Sequence, residues 1–198
     1  TRLVSDWSSD VCSSDLRLEG LALPVSVWFS DVLPDRVRDF SPAMLDELCA
    51  AGEIVWRGVE RIGQGDARVS FHLADRLHLL APPAGTPSHE LAPRVLELLE
   101  LRGAMFFADL AARCGGFPND VLAAVWDLVF AGLVTNDTTA PLRSLYGPAA
   151  SEPSRGPARF RSRRKLTPGS EGRWSVFTPP PLPASDTERS AAIATVLL

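Results

Sequence analysis

The chain has 198 residues, 45% hydrophobic and 22% charged, with a formal charge of −4 at pH 7, the balance of a water-soluble globular protein that can bury a core as one large domain or two small ones. No run approaches the roughly 18 apolar residues of a membrane span, and no basic start leads into an apolar stretch, so a spanning or secreted protein is excluded and a cytoplasmic location expected. Of 20 basic residues only Lys165 is lysine, and "RSRRKLTP" has no glycine loop before it, which excludes a phosphate-binding loop of the G-x-x-x-x-G-K-[ST] type and the motor built on it.

In chain order, residues 6–16 come first. "DWSSDVCSSDL" has neither a helical nor a strand period, and it resembles the translation of a short-read sequencing adaptor over all eleven residues. Residues 1–16 are therefore expected to be a non-native scar, without which the formal charge moves from −4 to −2. Next, "LALPVSVWFSDVLPDRVRDF" carries proline and β-branched residues that argue against a complete helix pair. This first unit is expected to be degenerate or cut by the scar.

Ser41-Pro42 then offers an N-cap with proline at the first helical position, opening "AMLDELCAAGEIVW" at 43–56. Its apolar residues recur at i, i+3 and i+4, Gly52 sits where a positive φ is wanted, and an apolar strand follows. "VERIGQGD" supplies a turn at Gly63 and Gly65, and "ARVSFHL" at 67–73 alternates Val69, Phe71 and Leu73 against Arg68, Ser70 and His72. A β-hairpin is expected.

Further on, "SHELAPRVLELLELRG" at 88–103 predicts an amphipathic helix capped by Ser88, and "MFFADLAARCG" at 105–115 a short second one. "AAVWDLVFAGLVTN" at 123–136 repeats the 43–56 pattern at a constant offset of 80, placing Leu45, Leu48, Cys49, Gly52 and Ile54 on Val125, Leu128, Val129, Gly132 and Val134. "GRWSVFT" at 172–178 answers the strand after the first hairpin turn, so "LVTN" at 133–136 is expected to pair antiparallel with "RWSVF" across a longer tip. That tip, 147–171, is rich in Pro, Gly, Ser and Arg and nearly devoid of apolar residues, so it is expected to be flexible. Last, Ser185 and Glu188 have capping-box spacing before "TERSAAIATVLL".

Helix, glycine stop and two-stranded ribbon make up the second half of a winged-helix domain. The expected fold is α+β, with tandem winged-helix domains of three helices and a two-stranded wing, truncated at both ends. The expected division is scar at 1–16, a partial unit at 17–83, a second unit at 84–180 with an insertion at 147–171, and a further helical domain beginning at 181–198.

With these segments in view, the chain resembles the C-terminal region of the Lhr (large helicase-related) proteins, bacterial superfamily 2 helicases. "LPVSVWFSDVLPDRV", "LDELCAAGEIVWRG", "VSFHLAD", "AAVWDLVFAGLVTNDTTAPLRSL", "GRWSVF" and "TER" carry the resemblance over most of residues 18–190. It implies a parent with a DEAD/DEAH-type motor, supplied with ATP and Mg, that translocates on single-stranded DNA and acts in DNA repair. That motor lies outside this chain, so the chain itself is expected to have no cofactor and no catalytic residue. The family's C-terminal region is similar to a bacterial DNA glycosylase family, but the carboxylate implicated there lies beyond Leu198.

Among candidate residues, Gln64-Gly65-Asp66 is similar to a glycosylase Gln-x-Asp motif, though a turn needs the same residue types. His72 and His78 have no Asp or Cys that would complete a ligand set and are expected to be surface or half-buried. Cys12, Cys49 and Cys114 lack metal-ligand spacing, so no metal site is expected. Trp126 and Phe130 lie on the helix that would enter a DNA groove, but its charges, Asp120 and Asp127, repel phosphate, so a packing helix is expected. The basic residues Arg57, Arg61, Arg68 and Arg76 near the first wing, and Arg155, Arg159, Arg161, Arg163, Arg164 and Lys165 in the long tip, are the candidate nucleic-acid contacts. Three readings stay open: a DNA-binding accessory region partnered in cis by the helicase motor, a structural scaffold, and an incomplete glycosylase-like domain.

Overall fold

The computed structural model describes residues 18–146, 167–177 and 185–197. The 1–16 stretch, Cys12, and Arg155 through Lys165 lie outside the described residues. The first strand, β1, is Leu23–Pro24. A helical stretch, α1, then runs from Val25–Val27 through a wide turn at Trp28–Val32 into Leu33–Arg36. Helix α2 (Pro42–Ala51), strands β2 (Ile54–Ile62) and β3 (Asp66–Leu73) and the single turn α3 (Leu77–Leu80) complete the first unit.

Within the 21–40 segment residues 25–36 form one helical stretch despite Pro34, because Val25, Trp28, Phe29 and Leu33 recur at helical spacing and are all buried. Its wide turn, in which Leu33 N–H donates to Trp28 O, carries the chain into Pro34, which has no N–H to place.

The second unit repeats the strand, two helices and two strands of the first, with one more helix in front and another between its last two strands: α4 (Ala92–Arg102), β4 (Met105–Phe106), α5 (Phe107–Cys114), α6 (Pro118–Phe130), β5 (Val134–Asn136), α7 (Ala140–Tyr146) and β6 (Arg173–Val176). Helix α8 (Asp186–Leu197) follows. Ser88 does not cap α4, which begins three residues beyond the expected start. The Ser88 and His89 N–H groups instead donate to the Asp127 carboxylate at 2.7 and 2.8 Å. A tertiary acceptor has outcompeted the local cap.

Each unit holds a three-stranded antiparallel sheet, β1-β3-β2 and β4-β6-β5, with its last strand in the middle. The third strands, Leu23↔Val69 with Pro24↔Arg68 and Met105↔Trp174 with Phe106↔Arg173, extend the expected two-stranded ribbons. Two residues carry no period by which a sequence could announce them. In the second sheet Val134 faces Val176 and Asn136 faces Trp174, the expected pairing of "LVTN" with "RWSVF".

The 80-residue repeat is visible in the helix stops. Gly52 and Gly132 have φ 75° and 70°. Gly52 N–H donates to Cys49 O and Glu53 N–H to Leu48 O; Gly132 N–H donates to Val129 O and Leu133 N–H to Leu128 O. Both helices thus end in one left-handed glycine motif that redirects the chain into a strand.

The units share a continuous core. Trp56 on β2 lies among Trp126 and Trp174, with ring centroids 6.5 Å away in both cases. Its Nε1 donates to Thr138 O at 2.9 Å, and its own carbonyl accepts from Thr135 Oγ1 at 2.7 Å. Gly58 lets β2 touch α6, since a Cβ there would lie 2.8 Å from the Val129 carbonyl oxygen.

Candidate nucleic-acid interface

Of the four expected basic residues within the described chain, Arg57 is 5% exposed. Its Nη2 donates to Pro83 O at 2.9 Å, its guanidinium lies 5.7 Å from the Phe177 ring centre, and it fills the space where a Cβ on Gly132 would fall. Arg57 is thus a buried strut between the units, turned away from any phosphate backbone. Its place on a strand of the hairpin predicts a surface position; the second unit covers that strand. Arg76 lies 3.2 Å from the buried Glu19 carboxylate, so it too has a structural partner.

Arg61 and Arg68 remain on the first hairpin. Arg68 is paired with Glu60 across the strands, and Arg61 stands opposite Ala67. Directly opposed residues share a face and neighbours along a strand alternate, so the two arginines point to opposite faces of the wing. They form no single patch. Arg61 lies over Phe130, its Cζ 5.5 Å from the ring centre.

The helices that would read a DNA groove are otherwise occupied. On α6, Val121, Leu122, Ala124, Val125, Trp126, Leu128 and Val129 are buried. Trp126 is 2% exposed and donates from Nε1 to Gly169 O at 3.1 Å. Its outward stripe carries Asp120 and Asp127, which line a groove of about 830 Å³ together with Arg61, Phe117 and Phe130. On α2, Asp46 accepts from Thr139 N at 2.7 Å and from Arg143 Nη2 at 2.8 Å. Burial acts to raise the Asp46 carboxyl, but these hydrogen bonds outweigh it and hold it below its usual value.

The remaining candidates have local or buried roles. Asp66 accepts from Ala67 N at 2.8 Å and Ser26 N at 3.3 Å, which ties the hairpin to α1. Asp137 accepts from Arg173 N at 2.7 Å and Asn136 Nδ2 donates to Glu171 O at 2.9 Å, so this pair shapes the turn after β5. His72 is 1% exposed, a correction to the surface or half-buried position expected of it. Alternation places it on the solvent face of β3, but that face is covered too, with Phe177 6.5 Å from its ring. His72 Nε2 lies 2.9 Å from Ser70 Oγ. Desolvation, helped by the Arg57 charge, pushes its pKa down to about 4. Cys49 and Cys114 are buried free thiols, and burial pushes the Cys49 thiol up to about 12. Among the described residues no cluster of His, Cys, Asp and Glu could hold a metal ion, and no helix is long and apolar enough to cross a membrane.

Helices leading through a glycine stop into a small antiparallel sheet with its last strand central define a winged-helix protein of the α+β class. Residues 9–74 match the family described as "Large helicase-related protein, winged-helix domain"; this span opens inside the 6–16 stretch. In an alignment of 191 positions that covers 87% of the chain it is 37% identical to "Lhr helicase/ probable uracil glycosylase" of Mycolicibacterium smegmatis, and in one of 205 positions that covers 92% of the chain it is 34% identical to "Lhr helicase/uracil glycosylase" of Escherichia coli K12. It belongs to the large helicase-related (Lhr) family. The chain spans 12% and 13% of the lengths of these two relatives.

Proposed function

We propose that this chain is a nucleic-acid-binding accessory region, C-terminal in its parent, of an Lhr-type ATP-dependent DNA helicase acting in DNA repair or processing. It consists of tandem winged-helix units, at 17–83 and 84–180, and lacks the motor, to which ATP and Mg belong. The observation that supports this mode of binding is the state of the two helices that end in the glycine stops. On α2, Asp46 is taken up by Thr139 and Arg143, and on α6, Asp127 is taken up by Ser88 and His89, while the part of α6 left exposed carries Asp120, which repels phosphate. Nucleic acid is therefore left to the wings: Arg61 and Arg68 on the first, and Arg155, Arg159, Arg161, Arg163, Arg164 and Lys165 in the connection of the second. Arginines on loops hold phosphates without reading bases, so the bound DNA is not sequence-selected.

A salt series of fluorescence anisotropy tests this reading. Changing Arg161, Arg163, Arg164 and Lys165 to Ala is expected to weaken binding to all DNA sequences alike. The log K against log salt slope should flatten by up to about 0.9 for each duplex phosphate that the variant no longer neutralises. Unchanged affinity and slope would favour the second reading, a structural scaffold, which the shared core between the units supports. The relatives' names couple a helicase to a uracil glycosylase. Release of uracil from DNA by this chain alone would establish the third reading, part of a glycosylase-like domain.

A further inference from the structure

The groove along α6 holds a guanidinium at one end and the components for a second at the other. Arg61 lies over Phe130 near the C-terminal end of the helix. Thirteen residues of helix, about 20 Å, separate this pair from Phe117, which precedes α6 and is 76% exposed. The groove is lined there by Glu90 and Asp120, both exposed and without an ion pair among the described residues. Asp127, between the two ends, is taken up by Ser88 and His89.

At about 830 Å³ the space is of the size that ordinarily takes a ligand or an inserted side chain. At the Phe117 end, away from Arg61, the Glu90 and Asp120 carboxylates repel a phosphate and attract a cation. An exposed aromatic beside two acids suits a cation that is planar and carries an apolar stem, which describes arginine better than lysine.

The chain spans only 12% and 13% of its relatives' lengths, so in the full-length protein most of the available surface is tethered in cis. Tethering raises effective concentration to about the millimolar range for short flexible links, enough to fill a weak groove. The arginines of the chain's own second wing are already assigned to nucleic acid.

We propose that the Phe117–Glu90–Asp120 end of this groove is the surface on which the rest of the full-length helicase docks, through an arginine-bearing segment inserted as Arg61 is on Phe130. For its partner the inference rests on the accessory-region reading.

The test is site-specific photocrosslinking in the full-length protein, with p-benzoylphenylalanine in place of Phe117, an exposed position that tolerates the change. Irradiation followed by peptide mass spectrometry is expected to recover an arginine-bearing peptide from outside this region, on the same polypeptide. Glu90→Gln with Asp120→Asn should lower that yield several-fold while leaving the melting curve unchanged. Crosslinks confined to residues 147–166, to a second copy, to added DNA or to another protein would overturn the proposal, as would none at all or a yield indifferent to the two carboxylates. DNA anisotropy on the same variants is expected to be unchanged, so failure of the docking and failure of DNA binding are read separately.

Discussion

At the scale of single residues, two positions can be tested directly. Gly58→Ala would drive a Cβ to 2.6 Å from Val129 Cγ1 and 2.8 Å from the Val129 carbonyl oxygen. The methyl could swing aside, but the backbone oxygen belongs to a packed helix. A loss of about 1–3 kcal/mol is expected, as for overpacked cores, and at about 2–4 °C per kcal/mol for a chain of this length calorimetry would detect it. His72 gives a pH signature. Its unfolded pKa is near 6.5 and its folded pKa about 4, so between these values the unfolded chain binds the extra proton. The contribution is fully present above pH 6.5 and is lost as pH falls toward 4, by about 3 kcal/mol at most. Burial raises Glu19, which works in the opposite sense in acid, so the comparison must be with His72→Gln. That variant should show a flatter dependence of melting temperature on pH over the same window.

Among the elements, α2 and α7 are joined by one carboxylate. Asp46 receives Thr139 N–H, Thr139 Oγ–H and two guanidinium donors of Arg143, and both side chains of the ion pair are about a quarter exposed. A double-mutant cycle with Asp46→Asn and Arg143→Met should give a coupling of about 1–2 kcal/mol, below a fully buried pair because of solvent screening. The folded pKa of Asp46 is lowered, so this stability is present above the unfolded value of about 3.8 and lost as pH falls through the folded one. A coupling that persisted unchanged in strong acid would contradict the assignment. Helix α7 itself is not legible in the sequence. "APLRSLY" is too short for a period to stand out, and its burial of Leu142 and Tyr146 depends on partners far away in the chain. By contrast α2, α6 and their glycine stops are legible, because each helix carries its apolar stripe and its positive-φ residue within some fifteen residues.

At the scale of the whole molecule, the indole cluster of Trp56, Trp126 and Trp174 couples the two repeats. Unfolding should therefore be one cooperative transition, with the same midpoint by far-ultraviolet circular dichroism and by tryptophan fluorescence. Two separated midpoints would show that the units are independent. The sequence by itself determined what lies within a few residues: the helix stripes, the glycine stops, the hairpin turn, the 80-residue repeat, and the family that these segments resemble. It also exposed the positive charges that make a nucleic-acid partner worth testing. Only the tertiary structure decided which of those charges face water. Arg57 and Arg68 both stand on strands of the first hairpin, yet one is sealed against Gly132 and Phe177 and the other is exposed beside Glu60. The same holds for His72, whose alternation with Val69, Phe71 and Leu73 marks a solvent face until the second unit covers it. Periodicity reports which residues share a face; what covers that face is set by contacts between residues far apart in the chain, such as Arg57 with Gly132 and His72 with Phe177, and no local pattern records them.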